Sequence, residues 1–172
     1  MIISTQRLML VPLGSQFLQS THRYASDYEN ARYMVHLPNS DLSETELFLK
    51  NVEDEWQKPE PEFYEFAILL GKDHIGGVCI YFNKDRSEGE LGWIILKSAW
   101  GNGYAEEAAR EIIRFAIEEQ GVTKFVAHCD SENIASYRVM EKLGMTLQTR
   151  TLGRKNKFSD EDRVELKYFM GE

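Results

Sequence analysis

ELGWIILKSAWGNGYAEEAA, residues 90–109, decides how the rest of this chain is read. Its first seven residues are an apolar run of strand length, Trp100 to Ala105 form a short loop with glycines at 101 and 103, and an alanine-rich helix begins at Tyr104. A loop of this kind delivers bare backbone N–H groups, and the positive end of a helix dipole, to one spot. Such a spot suits a phosphate-bearing ligand. A P-loop would need a Lys after the second glycine, and a Rossmann fingerprint would need a third glycine where Glu106 stands. Both nucleotide readings are therefore set aside.

Working outward, Glu62 to Leu70, Ile75 to Phe82 and Glu88 to Leu96 read as three strands joined by short connections, an antiparallel meander. Beyond the loop, Tyr104, Ala105, Ala108, Ala109, Ile112, Ile113, Ala116 and Ile117 form two apolar columns of a helix that Gly121 closes. Lys124 to Cys129 is a strand, Asn133 to Leu143 a helix ending at Gly144, and strands near Met145 to Thr151 and Val164 to Met170 finish the chain. Upstream, Thr5 to Leu13 reads as a first strand and Ser15 to Asn30 as one or two short helices. A capping box, Ser43 with Glu46, starts a helix that runs to Trp56. This order predicts an α/β (α+β) sandwich, with no linker or repeat to divide residues 1–172 into more than one domain.

The 172 residues carry a formal charge of −8, which disfavours nucleic-acid backbones as partners. No window approaches the roughly 20 apolar residues of a bilayer span. The N-terminus lacks the marks of a signal peptide, so a cytoplasmic setting is expected. Cys79 and Cys129 show no CxxC spacing, and His22, His36, His74 and His128 show no HxxxH or HExxH spacing. No metal is expected. His128-Cys129-Asp130 could suggest a nucleophilic triad, but neighbours on a strand point to opposite faces. Asp41 to Glu65 holds nine acids against Lys50 and Lys58, and Arg150, Arg154, Lys155 and Lys157 read as a solvated basic patch.

Trp100 to Ala105 resembles the acyl-CoA pyrophosphate loop of the GNAT superfamily of N-acetyltransferases: Arg or Gln, two residues, Gly, one residue, then Gly or Ala. Gly103 and Ala105 match, and Trp100 replaces the Arg or Gln. That replacement is similar to the branch of ribosomal-protein alanine N-acetyltransferases, RimJ and RimL, whose WGxGYAxEA is met by Trp100-Gly101, Gly103-Tyr104-Ala105 and Glu107-Ala108. Asn133 to Met145 is similar to the family segment NxxSxxVxEKxGF, and TQRLMLVPL to the branch opening TxRLxLRPL.

The resemblance implies a GNAT-like fold, a central mixed, mostly antiparallel sheet of about seven strands flanked by helices and splayed between strands 4 and 5. It implies acetyl-CoA as co-substrate, held by the loop Trp100, Gly101, Asn102, Gly103, Tyr104 and Ala105. The pantetheine arm would pair with the fourth strand at Ile94, Ile95 and Leu96, a backbone N–H of Ile94 or Ile95 would meet the thioester carbonyl, and Asn133 would contact the pantetheine amide. The reaction implied is direct attack by a primary amine in a ternary complex, the amine being a peptide N-terminus, a polyamine or another small cationic amine. Glu90 is the candidate base, with Glu88 on the same face as its understudy. The family's usual Tyr acid falls at Met140, which leaves Ser136, Tyr137 or no protein acid for a thiolate of pKa about 8.5. The acidic run would overhang the acceptor side and attract a cation. A noncatalytic acyl-CoA-binding regulatory module on the same fold is the alternative, and a homodimeric partner is left open.

Overall fold

Apolar side chains on both faces of the strands between residues 63 and 95, as in Phe66-Ala67-Ile68, set the architecture, because each strand can then bury one row of side chains under helices and a second row under others. The computed structural model describes residues 1–171. Its elements are β1 (Ile3–Ser4), β2 (Met9–Pro12), α1 (Leu18–Ala25), α2 (Tyr28–Ala31), α3 (Leu42–Trp56), β3 (Phe63–Leu70), β4 (Asp73–Phe82), β5 (Glu88–Ile95), α4 (Tyr104–Gln120), β6 (Lys124–Asp130), α5 (Ile134–Lys142), β7 (Thr146–Arg154) and β8 (Arg163–Met170). Short 3-10 turns occupy Ser15–Phe17 and Lys97–Ala99. One sheet of order β1-β2-β3-β4-β5-β6-β8-β7 holds all the strands. Every neighbouring pair is antiparallel except β5 with β6.

The sheet has eight strands where about seven are expected from the sequence. The first strand, read as Thr5 to Leu13, is interrupted by a turn in which Thr5 Oγ1 accepts from the Leu8 N–H at 2.8 Å, and β1 folds back on β2. The expected splay is therefore met one strand later in the count, between β5 and β6. These two pair only at Glu88 with Lys124, Gly89 with Phe125 and Glu90 with Val126. From Leu91 onward β5 has no β6 partner.

The main core lies between the sheet and α4, with Phe66, Ile80, Ile112, Phe125 and Met140 fully buried. Each such side chain contributes roughly 1.5–3 kcal/mol. Phe115, outside the two predicted columns, is buried edge-on to Tyr64 and Phe66 at 5.2 and 5.9 Å, while Ile117 is exposed. The breadth of the sheet under α4 draws in that third column. On the opposite face Leu49 and Val52 of α3 pack on Ala67 and Leu13. The cap of α3 is Asp41, which accepts from the Glu44 N–H at 3.1 Å, while Glu44 accepts from the N–H of the preceding Ser40; the cap thus lies two residues before the expected Ser43. Asp competes successfully because Ser43 Oγ itself donates to Asp41 at 2.6 Å.

Gly76 permits the closest backbone approach between β4 and β5. A Cβ there would lie 2.1 Å from the Ile94 carbonyl oxygen, and no rotamer change can relieve a backbone contact. Gly76→Ala is expected to destabilise the fold by about 3 kcal/mol, read as a lower urea midpoint at unchanged slope.

Candidate active site

The unpaired half of β5 exposes one row of backbone groups to the wedge, and strand alternation says which row. The Leu96 N–H donates to the Ile75 carbonyl at 2.7 Å, and the Glu88 carbonyl accepts from the Asn83 N–H at 3.0 Å, so the even-numbered residues of β5, Ile94 among them, face β4. Leu91, Trp93 and Ile95 face the wedge. Of the two candidates for carbonyl contact, Ile95 has the appropriately directed N–H and Ile94 does not. The Ile95 carbonyl is already taken: Trp100 Nε1 donates to it at 2.6 Å and Asn30 Nδ2 at 2.7 Å. Asn30 also accepts from the Lys97 N–H at 3.0 Å, so this α2 residue, with no signal in the sequence, fixes the end of β5 to the loop.

The loop itself is built for an anion. Gly101 and Gly103 both have φ of +78°, in the left-handed region where L side chains are strained. Gly103 is the N-cap of α4, and its carbonyl accepts from the Glu107 N–H at 3.1 Å. Among the described residues, none of the six N–H groups from Gly101 to Glu106 donates to a protein acceptor. The Asn102 side-chain Nδ2 turns inward and donates to the Ala99 and Trp100 carbonyls at 3.1 and 3.0 Å, which leaves the backbone N–H as its free donor for a ligand. Tyr104 and Ala105 start the helix and pack against the core.

Two acids in the first turn of α4 would repel an anion, and each is paired away from the N–H groups. Glu106 meets Arg110 at 2.9 Å and Lys142 at 3.8 Å. Glu107 accepts from Thr5 Oγ1 at 2.5 Å, from the Arg7 N–H at 2.8 Å and from Arg7 Nε at 2.7 Å. Arg7 also donates through Nη1 to the Asn102 carbonyl at 2.9 Å and lies over the Tyr104 ring, 4.7 Å from its centroid. Sequence reading valued the opening TQRL only as a family likeness. Its arginine is a brace of the loop.

At the other end of the unpaired stretch, where the wedge closes, Glu90 and His128 face each other across the two strands. Glu90 Oε1 lies 2.9 Å from His128 Nδ1. The hydrogen bond with His128 holds the Glu90 carboxyl below its ordinary range against the opposing effect of burial. The same bond raises the imidazole above its usual 6.5. His128 was missed in sequence because strand alternation was used only to separate it from Cys129. A parallel β6 following β5 through α4 places same-face residues of the two strands side by side, which is the signal that could have found it. The pair lines a cavity of ≈ 180 Å³ with Tyr81, Glu88, Val126 and Lys167. A wider hollow of ≈ 630 Å³, bounded by Arg23, Asp27, Asn30, Leu96, Lys97 and Ser98, opens at the Leu96 end.

Cys129 points to the opposite face, into the α4 core, where burial pushes its thiol up to about 11 and nearby Ser136 opposes the rise. Asn133 caps α5, its side chain accepting from the Ser136 N–H at 3.2 Å. Tyr137 packs half-buried against the core and Met140 is fully buried in it. The Glu90–His128 pair thus lies where the wedge closes, while Ser136 lies near Cys129 in the first turn of α5. No cluster of three His, Cys, Asp or Glu suited to a metal occurs among the described residues, and no helix there is long and apolar enough to cross a membrane.

The basic patch predicted as solvated is partly internal. Arg154, its side chain only 9% exposed, binds Glu165 at 2.8 Å and the Tyr33 carbonyl at 3.0 Å, and Lys157 meets Glu44 at 3.2 Å. These contacts latch the β7–β8 hairpin over the α2–α3 segment. The acidic run is likewise depleted: Asp41 caps α3, Glu53 holds Ser15, and Glu55 is buried against the Glu62 N–H and Lys58. Glu46, Asp54, Glu60 and Glu62 remain exposed.

Known proteins share this family and this fold. The family model described as Acetyltransferase (GNAT) domain matches residues 7–146. An uncharacterized N-acetyltransferase of Bacillus subtilis, YnaD, is 30% identical over 150 residues, 84% of this chain and 82% of its own. The FsC-acetyl coenzyme A-N(2)-transacetylase of Aspergillus fumigatus is 40% identical over 157 residues, 84% of this chain and 64% of its own. In fold, the RimL ribosomal L7/L12 alpha-N-protein acetyltransferase superposes with a TM-score of 0.88 at 15% identity, covering 99% of this chain and 98% of that one. The chain belongs to the GNAT family of acetyltransferases and is an acyltransferase.

Proposed function

We propose that residues 1–172 form one catalytic domain that transfers the acetyl group of acetyl-CoA to a primary amine by direct attack in a ternary complex. The observation that carries this reading is the row of free N–H groups at Gly101–Glu106 at one end of an unpaired strand whose other end holds a carboxylate–imidazole pair. The residues fit the group: the N–H row suits a pyrophosphate, and the free backbone groups of Trp93 and the Ile95 N–H suit an extended amide-bearing arm. Bound acetyl-CoA supplies the thioester. Gly101 to Ala105 bind its phosphates through backbone, Trp100 borders them with its own N–H held by Lys97 and its indole by Ile95, Ile95 directs an N–H at the carbonyl position, and Leu96 and Asn133 border the arm. The Glu90 carboxylate drives loss of the acceptor's ammonium proton, and Ser136 is the residue proposed to return a proton to the thiolate. Tyr137, turned into the core, is the weaker candidate for that step.

The acceptor proposed is a peptide N-terminus, a polyamine or another small cationic amine, drawn by Glu46, Asp54, Glu60 and Glu62 on the exposed rim. The two free cysteines, half-buried and buried, fit a cytoplasmic setting. Glu90→Gln is expected to lower turnover at pH 7 roughly 10- to 100-fold, with the loss recovered as the pH nears the amine's own pKa. Steady-state thiol release across pH measures this, and turnover equal to wild type at pH 7 would remove Glu90 from the reaction.

A further inference from the structure

Glu90 is the carboxylate at the closing end of the wedge, and its Oε1 is engaged by His128 Nδ1 at 2.9 Å. The other ring nitrogen, Nε2, has no protein partner among the described residues, and the ring borders the cavity where the wedge closes. A carboxylate on Nδ1 fixes the tautomer that leaves Nε2 as the acceptor, and it stabilises the imidazolium formed when Nε2 takes a proton. We propose that His128 Nε2 is the group that takes the proton from the acceptor ammonium, with Glu90 as the positioning residue that acts through it. This rests on the acetyltransferase reading above and names its base.

The step balances. One proton passes from the ammonium to Nε2, and the freed nitrogen lone pair forms the C–N bond as the C–S bond breaks, its electron pair leaving on sulfur. Of the two protons left on the attacking nitrogen, one ends on that sulfur and the other stays on the new amide, and the one on His128 returns to solvent through the cavity. The titratable and charged groups around the Glu90–His128 pair are Glu88 from β5, the neutral phenol of Tyr81 from β4, Glu165 and Lys167 from β8, and Arg154 from β7, which is held by Glu165. Glu90 and Glu165 favour the imidazolium and Lys167 opposes it, and the raised imidazole pKa shows the acids prevailing. Glu65, whose oxygen accepts from Tyr81 Oη at 2.8 Å, is pushed up to about 7 by burial and is the second group whose titration the pH profile must separate from that of His128.

The test uses the full-length protein and two readouts. In the ligand-free protein, NMR titration of the His128 ring is expected to give a midpoint above the ordinary value that falls toward it in Glu90→Gln. In steady state with acetyl-CoA and an amine, the acid limb of kcat/KM is expected to follow the same midpoint, to move down in Glu90→Gln and to stay in place in Glu65→Gln. His128→Gln is expected to lower kcat/KM about 100-fold at pH 7 and to abolish that limb. A His128→Gln enzyme that keeps wild-type turnover, or a His128 midpoint indifferent to Glu90, overturns the proposal while leaving the acetyltransferase reading intact. If His128→Gln fails to fold, the Glu90→Gln limb decides alone: no shift rejects the proposal. Wild-type protein with no amine-dependent turnover overturns the broader reading and this base with it.

Discussion

Asp130→Ala is expected to remove about 3 kcal/mol from the unfolding free energy, a large share of the roughly 5–15 kcal/mol of an ordinary domain. Asp130 is fully buried at the end of β6, where one oxygen accepts from Arg163 Nε at 2.9 Å and from Asn156 Nδ2 at 2.6 Å. The other accepts from Arg163 Nη2 at 3.1 Å and from the Glu132 N–H at 2.8 Å. Removing the carboxylate strands the amide of Asn156, itself 4% exposed. Arg163 keeps Glu132 at 2.6 Å, and for that reason the loss is placed at the low end for a broken buried pair. Urea denaturation of the variant and wild type at pH 7 measures it, and a loss below about 1 kcal/mol contradicts a structural role for the cluster.

The same cluster predicts a pH dependence. Burial raises the Asp130 pKa, but hydrogen bonds from Arg163, Glu132 and Asn156 outweigh it and hold the group below its ordinary value of 3.8. A depressed folded-state pKa contributes stability that is fully present above the unfolded value and is lost as the pH falls through the folded one. The Asp130 contribution therefore fades in acid below about pH 4.

Arg7→Ala is expected to raise the KM for acetyl-CoA about 10- to 30-fold with kcat changed less than about 2-fold, a difference of roughly 1.4–2 kcal/mol. A surface ion pair alone would be worth less. Here the guanidinium does two further things: it holds the Asn102 carbonyl, and so the shape of the N–H cradle, and it neutralises Glu107 beside the place a pyrophosphate would occupy. S-acetylpantetheine, which has neither pyrophosphate nor adenosine, separates this role from general support of the fold. Its kcat/KM is expected to be the same in Arg7→Ala as in wild type. An equal loss with both thioesters contradicts the brace and makes Arg7 merely structural.

What could be read in the sequence was local. Alternation in β3 to β5, two glycines at the head of an alanine-rich period, and Asn133 before a short amphipathic run each carry their cause within a few residues, and each is found where expected. The turn at Thr5 to Leu8 was read through as strand because Thr and Leu suit both, and the turn is fixed by Glu107 from another element. The pairs that shape the site join distant residues: Arg7 with Glu107, Asn30 with Ile95, Glu90 with His128. A long-range pair leaves no period or cap in the letters. It needs the parallel crossover and the splay to bring its members together. Composition misleads in the same way, since the acidic run and the basic patch looked solvated and several of their members bind each other or the backbone.

Thiol release from acetyl-CoA by the wild-type protein, followed with a panel of peptide N-termini, polyamines and amino sugars and with mass spectrometry of the amine, tests the proposed reaction most directly. The expected result is release that depends on one class of amine, at least about 10-fold above hydrolysis without it, with one acetyl group found on the amine per thiol freed. Tight binding of CoA with no amine-dependent release from any acceptor would contradict it and make the wedge a binding module without catalysis.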